Sequence, residues 1–171
     1  MFSKDVTIEG EILAKDWKVN MSKDVKLNTL LAQAGVKKDE TTGALTTPLH
    51  FSTTYQHPEF GQSTGYDYTR TKNPTRVSLE ETLAAIESAN YALATSSGMS
   101  AIVLAFSAFP VGSKVLAVRD LYGGSFRWFA QAEAEGRFAF TYANTEEELL
   151  NSLTEDIDIV YVETPTNPLM V

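Results

Sequence analysis

Beyond Pro74 the sequence repeatedly exchanges a helical period for short apolar runs, and this alternation constrains the fold more than any other feature. Val77, Leu79, Leu83 and Ile86 follow Pro74, a residue suited to a first helical position, and predict a helix to about residue 89. Residues 91–95 read as a short strand, and 98–109 as a helix that Pro110 and Gly112 end. Further strands are expected over 114–118, 138–142 and 157–162, separated by helices over 126–135 and from Thr145 to about residue 153. Thr145 and Glu148 have the spacing of a capping box that opens this last helix. Strands alternating with helices predict an α/β fold, a mainly parallel sheet flanked by helices.

Ligands of such sheets bind beyond the carboxyl ends of the strands. The telling segments there are Thr95-Ser96-Ser97-Gly98-Met99, Arg119-Asp120-Leu121-Tyr122-Gly123-Gly124 and Glu163-Thr164-Pro165-Thr166-Asn167-Pro168. At Ser97-Gly98-Met99 a glycine lets the backbone approach a ligand, and free N–H groups at a helix start favour an anion such as phosphate. An ordinary turn with a serine cap accounts for the same residues. The segment is neither a Walker A loop nor a GxGxxG fingerprint. Tyr122 ahead of two glycines could wall a flat-ring pocket, or simply sit half-buried at a turn. Arg127, at the start of the next helix, could reach a carboxylate or point to solvent. Two prolines stiffen the Glu163 loop and would hold the Asn167 amide for directed hydrogen bonds, although a plain turn remains open.

Upstream, Leu27, Leu30, Leu31 and Ala34 have helical spacing and stop at Gly35, a residue suited to C′. Between residues 39 and 75, Thr, Ser, Gly, Pro and Tyr dominate without a sustained period. The aromatics Phe51, Tyr55, Phe60, Tyr66 and Tyr68 argue against disorder, so this arm is expected to pack on something else, such as another subunit. In an extended segment Tyr68 and Arg70 would face one side and could clamp a phosphate; a packed Tyr beside a surface Arg is the alternative. Ser3-Lys4-Asp5-Val6 recurs as Ser22-Lys23-Asp24-Val25 after Met21, an echo too short for a structural repeat. We expect an extension over residues 1–20 ahead of an alternative start, a helix and arm over 21–73, and the main α/β domain over 74–171.

Charge and composition narrow the function. The net charge of -8 sits in the last 39 residues, where nine acids from Glu133 to Glu163 face Arg137 alone. An acidic chain without a basic stripe is poorly suited to nucleic acid or anionic membranes. No apolar run reaches membrane-spanning length, and residues 1–5 do not open a secretory signal. The absence of cysteine excludes a disulfide framework and a thiolate metal site, and fits a reducing, cytoplasmic setting. His50 and His57 are too few for a His-rich metal site, though carboxylates could still bind a hard cation, and small-molecule chemistry stays open.

Together these segments resemble a known family. Tyr66-Asp67-Tyr68-Thr69-Arg70-Thr71-Lys72-Asn73-Pro74-Thr75-Arg76 is similar to the Tyr-x-Tyr-Ser-Arg-x-x-Asn-Pro-Thr-Arg signature of the Cys/Met-metabolism enzymes that use pyridoxal 5′-phosphate (PLP). That family's Ser-Gly-Met turn, Asp-x-Tyr-Gly-Gly loop and Glu-Thr-Pro-x-Asn-Pro loop follow in the same order, so the resemblance covers roughly residues 27–171. It implies a fold type I PLP-dependent transferase, here the first part of the large domain preceded by an N-terminal arm. Gly98 and Met99 would give amides to the PLP phosphate, and Tyr122 would stack on the pyridine ring and assist proton transfer. Tyr68 and Arg70 would reach the phosphate of a neighbouring subunit, implying a homo-oligomer built as a dimer of dimers. Asn167 would lie near the cofactor's phenolic oxygen and the substrate carboxylate, with Arg127 near the substrate.

The residues around Ser63 to Pro74 look most like cystathionine γ-synthase or O-acetylhomoserine sulfhydrylase members. The resemblance therefore implies γ-replacement on an O-acylhomoserine, with cystathionine β- or γ-lyase and methionine γ-lyase as alternatives. One departure matters. The family's Schiff-base lysine follows a Ser-x-Thr motif well downstream, whereas the last lysine here is Lys114 and no Ser-x-Thr-Lys occurs. The lysine, the pyridinium-pairing Asp, the substrate-anchoring arginine and the small C-terminal domain are expected beyond these residues. A catalytically inactive truncated product is the rival from another class. A nucleotide-binding domain would need a Gly-rich loop with an acidic ribose partner, and the sequence offers none.

Overall fold

The computed structural model describes residues 26–36, 39–166 and 169–170, which form two compact units, residues 26–94 and residues 95–170. In the first unit, helix α1 (Leu27–Ala32) packs on helix α2 (Pro74–Ile86). Beyond α1, Gly35 adopts φ +70°, a conformation that glycine takes without steric cost. Pro74 opens α2, and Asn73 caps it by accepting the Thr75 N–H at 2.8 Å.

The arm orders itself around Asn73. The Asn73 amide donates to Thr69 Oγ1 at 2.7 Å, to the His50 carbonyl at 3.1 Å and to Tyr55 Oη at 3.4 Å. The Tyr55 and Tyr66 rings meet at 5.5 Å, and an antiparallel bridge joins Thr54 to Tyr68. Phe51 and Phe60 stay exposed.

In the second unit, helix α3 (Gly98–Ser107) precedes strand β1 (Ser113–Val118), helix α4 (Gly123–Ala134), strand β2 (Phe138–Ala143), helix α5 (Glu146–Asn151) and strand β3 (Ile159–Tyr161). All strand pairing is parallel, in the order β2-β1-β3. Val115 stands opposite Phe140 and Ile159, and Ala117 opposite Tyr142 and Tyr161. Val115 and Ala117 join Phe106, Phe129, Ala132 and Phe138 in the core beneath α3 and α4. Burying these apolar faces is the main term that holds sheet and helices together. Thr145 caps α5, accepting the Glu148 N–H at 3.1 Å. Glu148 reaches back to the Asn144 N–H at 2.7 Å, one residue earlier than an ordinary capping box would place it.

Two sequence expectations need correction. Residues 91–95 pair with no strand among the described residues; Tyr91 is 71% and Leu93 67% exposed. The Ala94 N–H, which a ladder would use, donates instead to Glu80 Oε1 at 3.0 Å. The helix expected from residue 126 begins three residues earlier, so that Gly123 and Gly124 form its first turn rather than a loop. The reason is a carboxylate that arrives from beyond another strand and holds the helix start.

Candidate active site

Beyond β1 the chain passes through Asp120 to Tyr122, the N-cap of α4, whose side chain makes no capping bond. The Tyr122 N–H donates to Glu163 Oε2 at 2.7 Å. Glu163 lies just past the carboxyl end of β3, and its Oε1 accepts from Ser125 Oγ at 2.6 Å and Tyr161 Oη at 2.7 Å. In a capping box the acid would sit on the helix itself, three residues beyond the cap. Here that position holds Ser125, fully buried, which donates to an acid arriving from β3.

Burial works to raise the Glu163 carboxyl, but hydrogen bonds from Ser125, Tyr122 and Tyr161 outweigh it and lower its pKa. Its folded-state stabilisation is present above the ordinary carboxylate range and is lost as pH falls through the lowered value. Burial, with the Glu163 carboxylate adding to it, pushes the Tyr161 phenol up to about 12. Glu163 is therefore the anion at neutral pH and Tyr161 a neutral donor to it.

The Tyr122 ring folds over Gly124. A Cβ on Gly124 would lie 2.9 Å from Tyr122 Cδ1, closer still to Cε1, and 3.2 Å from Met99 Sδ. The position must lack a side chain because the ring and the thioether occupy that space. Arg127 turns back toward the same helix start, with its Nη1 3.3 Å from where a Cβ on Gly123 would stand. At α3, Ser97 Oγ accepts the Ser100 N–H at 3.1 Å, and the Ser97 carbonyl accepts the Ala101 N–H at 3.1 Å. The amides of Gly98 and Met99, at the first two helical positions, find no acceptor among the described residues. Asp120 Oδ2 is buried and likewise unpartnered among them.

The structure thus brings Met99, Tyr122 and Arg127 to one place beyond the sheet, with Gly98 opening the helix that carries Met99. Tyr68 and Arg70 meet within the first unit: Arg70 Nη2 donates to Tyr68 Oη at 3.3 Å, and its guanidinium lies 5.4 Å from the Tyr68 ring centre. Their approach does not come from an extended strand, as the sequence suggested. The Thr71 and Lys72 N–H groups close a turn on the Tyr68 carbonyl, and Arg76 Nη2 donates to the Thr71 carbonyl at 2.7 Å. Asn167 lies outside the described residues, as does the 1–20 extension. Ser125, Tyr161 and Glu163 were not singled out from the sequence as site residues. The one available signal was an acid directly after an apolar strand, at the head of the proline-rich loop.

No helix among the described residues is long and apolar enough to cross a membrane. Residues 28–171 match the family described as Cys/Met metabolism PLP-dependent enzymes. The chain is 43% identical over 146 residues to the cystathionine gamma-synthase/O-acetylhomoserine (thiol)-lyase of Bacillus subtilis, covering 84% of this chain and 39% of that protein. It is 38% identical to the cystathionine gamma-lyase of the same organism, covering 85% and 39%. Among solved structures, the cystathionine gamma synthase of Xanthomonas oryzae pv. oryzae superposes with a TM-score of 0.78 at 36% identity, covering 85% of this chain and 38% of that one. The chain spans about two fifths of the length of the relatives it matches. The neighbours share the parallel sheet flanked by helices of a fold type I domain, as the resemblance implied. With a match that begins at the second residue of α1 and runs to Val171, the chain belongs to the Cys/Met metabolism PLP-dependent enzymes.

Proposed function

We propose that this chain is the N-terminal portion of a transsulfuration enzyme that carries out γ-replacement on an O-acylhomoserine. The observation that supports a PLP site in this reading is the convergence of Met99, the Tyr122 ring and the Glu163 carboxylate beyond β1, at the start of two helices. The residues fit PLP. The unpaired Gly98 and Met99 amides suit its phosphate, and the side-chain-free first turn of α4 leaves the Tyr122 ring as the wall of a flat pocket. When bound, PLP supplies an electron sink for carbanions of the substrate. The chain's own residues would orient and protonate: Tyr122 Oη holds or moves a proton, Arg127 attracts the substrate carboxylate, and Asn167 hydrogen-bonds near both. The relatives' names favour synthase over lyase only by degree, at 43% against 38% identity.

Cystathionine β- or γ-lyase and methionine γ-lyase activity form the second reading, which the lyase relative supports. The full-length protein decides between them when supplied with O-acetylhomoserine and cysteine, or with cystathionine or methionine. Cystathionine formed faster than 2-oxo acid supports γ-replacement; 2-oxo acid as the main product from cystathionine or methionine rejects it.

Tyr68 and Arg70 would act on the PLP phosphate of a neighbouring subunit. In the full-length protein, Tyr68→Phe or Arg70→Ala should weaken PLP retention by about 1.5–3 kcal/mol, roughly ten- to hundredfold, the worth of one charge-assisted hydrogen bond. Cofactor affinity measured by dialysis and absorbance and found unchanged in both variants would reject the clamp. The same reading makes the enzyme an oligomer built on dimers with shared sites. Sedimentation should show no active monomer, and an active monomer would end it.

A further inference from the structure

We infer that Glu163 is a positioning residue that aims Tyr122, and that Ser125 and Tyr161 serve it as donors. This rests on the reading above, in which Tyr122 faces the cofactor. Tyr122 is an N-cap whose own side chain does not cap; its carbonyl accepts the Phe126 N–H at 3.0 Å, but its N–H has no partner within its own helix. Its N–H is held at 2.7 Å by Glu163 Oε2. That carboxylate is in turn fixed from two sides, by Ser125 Oγ at 2.6 Å and Tyr161 Oη at 2.7 Å. Ser125 sits in the first turn of α4 and Tyr161 is the last residue of β3. One carboxylate therefore ties the end of β3 to the start of α4 at the residue whose ring must be placed.

The acceptor inventory shows why a carboxylate stands here. Three donors converge on one side chain, and both of its oxygens must accept. A glutamine has one acceptor oxygen, and its amide nitrogen would face a donor. The lowered pKa of Glu163 agrees with this geometry, because the bonds favour the charged form. Tyr122 has ring freedom only through its backbone and two side-chain torsions, and Gly124 offers no Cβ to stop it. Releasing the N–H lets the ring tilt. Misplacement by about 1 Å can cost on the order of a hundredfold in rate.

The test uses the full-length protein with PLP bound, comparing Glu163→Ala, Glu163→Gln, Tyr122→Ala and the double variant Glu163→Ala/Tyr122→Ala. The readouts are kcat, KM and the visible circular dichroism of the bound cofactor, which reports its ring environment. The expected result is a roughly ten- to hundredfold fall in kcat for Glu163→Ala, with a smaller change in KM and an altered dichroism band. Glu163→Gln should fall between it and the unsubstituted protein, since one acceptor survives. The double variant should be no worse than Tyr122→Ala, because the carboxylate then has no ring to aim. Fully additive losses, or a Glu163→Ala protein with unchanged kcat and dichroism, would overturn the inference. If Glu163→Ala does not fold, Glu163→Gln and Ser125→Ala take its place: a fall in kcat with an altered band supports the positioning role, and unchanged values overturn it. Tyr122→Ala with unchanged kcat and dichroism would sink the site reading itself. A damaged Tyr122→Ala beside an intact Glu163→Ala would sink only the positioning role.

Discussion

Phe129→Ala should destabilise the unit formed by residues 95–170 by about 3–5 kcal/mol, the cost of removing a large buried ring and leaving a cavity. Phe129 is fully buried on the inner face of α4. Its ring lies 4.6 Å from that of Phe140, 4.9 Å from Tyr161 and 5.1 Å from Phe106. These partners come from both outer strands and from α3, so one substitution loosens four elements at once. The neighbouring Phe126 is 42% exposed, and Phe126→Ala should cost far less. Denaturant unfolding followed by near-ultraviolet circular dichroism, which reads the aromatic cluster, measures both. A loss for Phe129→Ala no larger than for Phe126→Ala would mean that this ring is not the centre of the core.

The 171-residue chain by itself should neither turn over substrate nor yield a specific, stoichiometric PLP adduct when mixed with the cofactor and reduced with borohydride. A lysine that bonds PLP needs a depressed pKa and a place beside the site. Lys114, the last lysine, has neither. It is the second residue of β1, near the amino end and opposite the carboxyl end beyond which Tyr122 stands. Its ammonium donates to Asp156 at 2.5 Å, and that hydrogen bond pushes its pKa above the ordinary value. Asp156 is held at about 2 by the same bond, so the pair is ionised at neutral pH. Lys72 lies in the arm, its ammonium 5.2 Å from the Tyr66 ring centre. Mass spectrometry of the reduced protein locates any modified lysine. One dominant site at unit stoichiometry, together with turnover of cystathionine or O-acetylhomoserine, would refute the claim that these residues are catalytically incomplete.

Much of the fold was legible in the residues because the signals that specify it are local. Ser97, Thr145 and Asn73-Pro74 announce helix starts by their own capping chemistry, and each caps its helix in the structure. The apolar runs that became β1 and β2 are long enough to be read without knowing their neighbours. The expected strand over 91–95 shows the limit of that reading. Its composition suits a strand, but a strand exists only where another backbone meets it, and its Ala94 N–H is committed to Glu80.

The candidate site divides along the same line. Residue order and the resemblance it carries determined the family, the cofactor class, and the standing of Gly98, Met99, Tyr122, Arg127, Tyr68, Arg70 and Asn167 as candidates. Tertiary structure alone decided that Gly123 and Gly124 are helix rather than loop, that Tyr68 and Arg70 meet through a turn, and that Glu163 holds the Tyr122 backbone from forty-one residues away. The physical reason is the same in each case. Periodicity and caps act over a few residues, whereas a carboxylate with three donors exists only after parallel pairing has brought the end of β3 beside the end of β1.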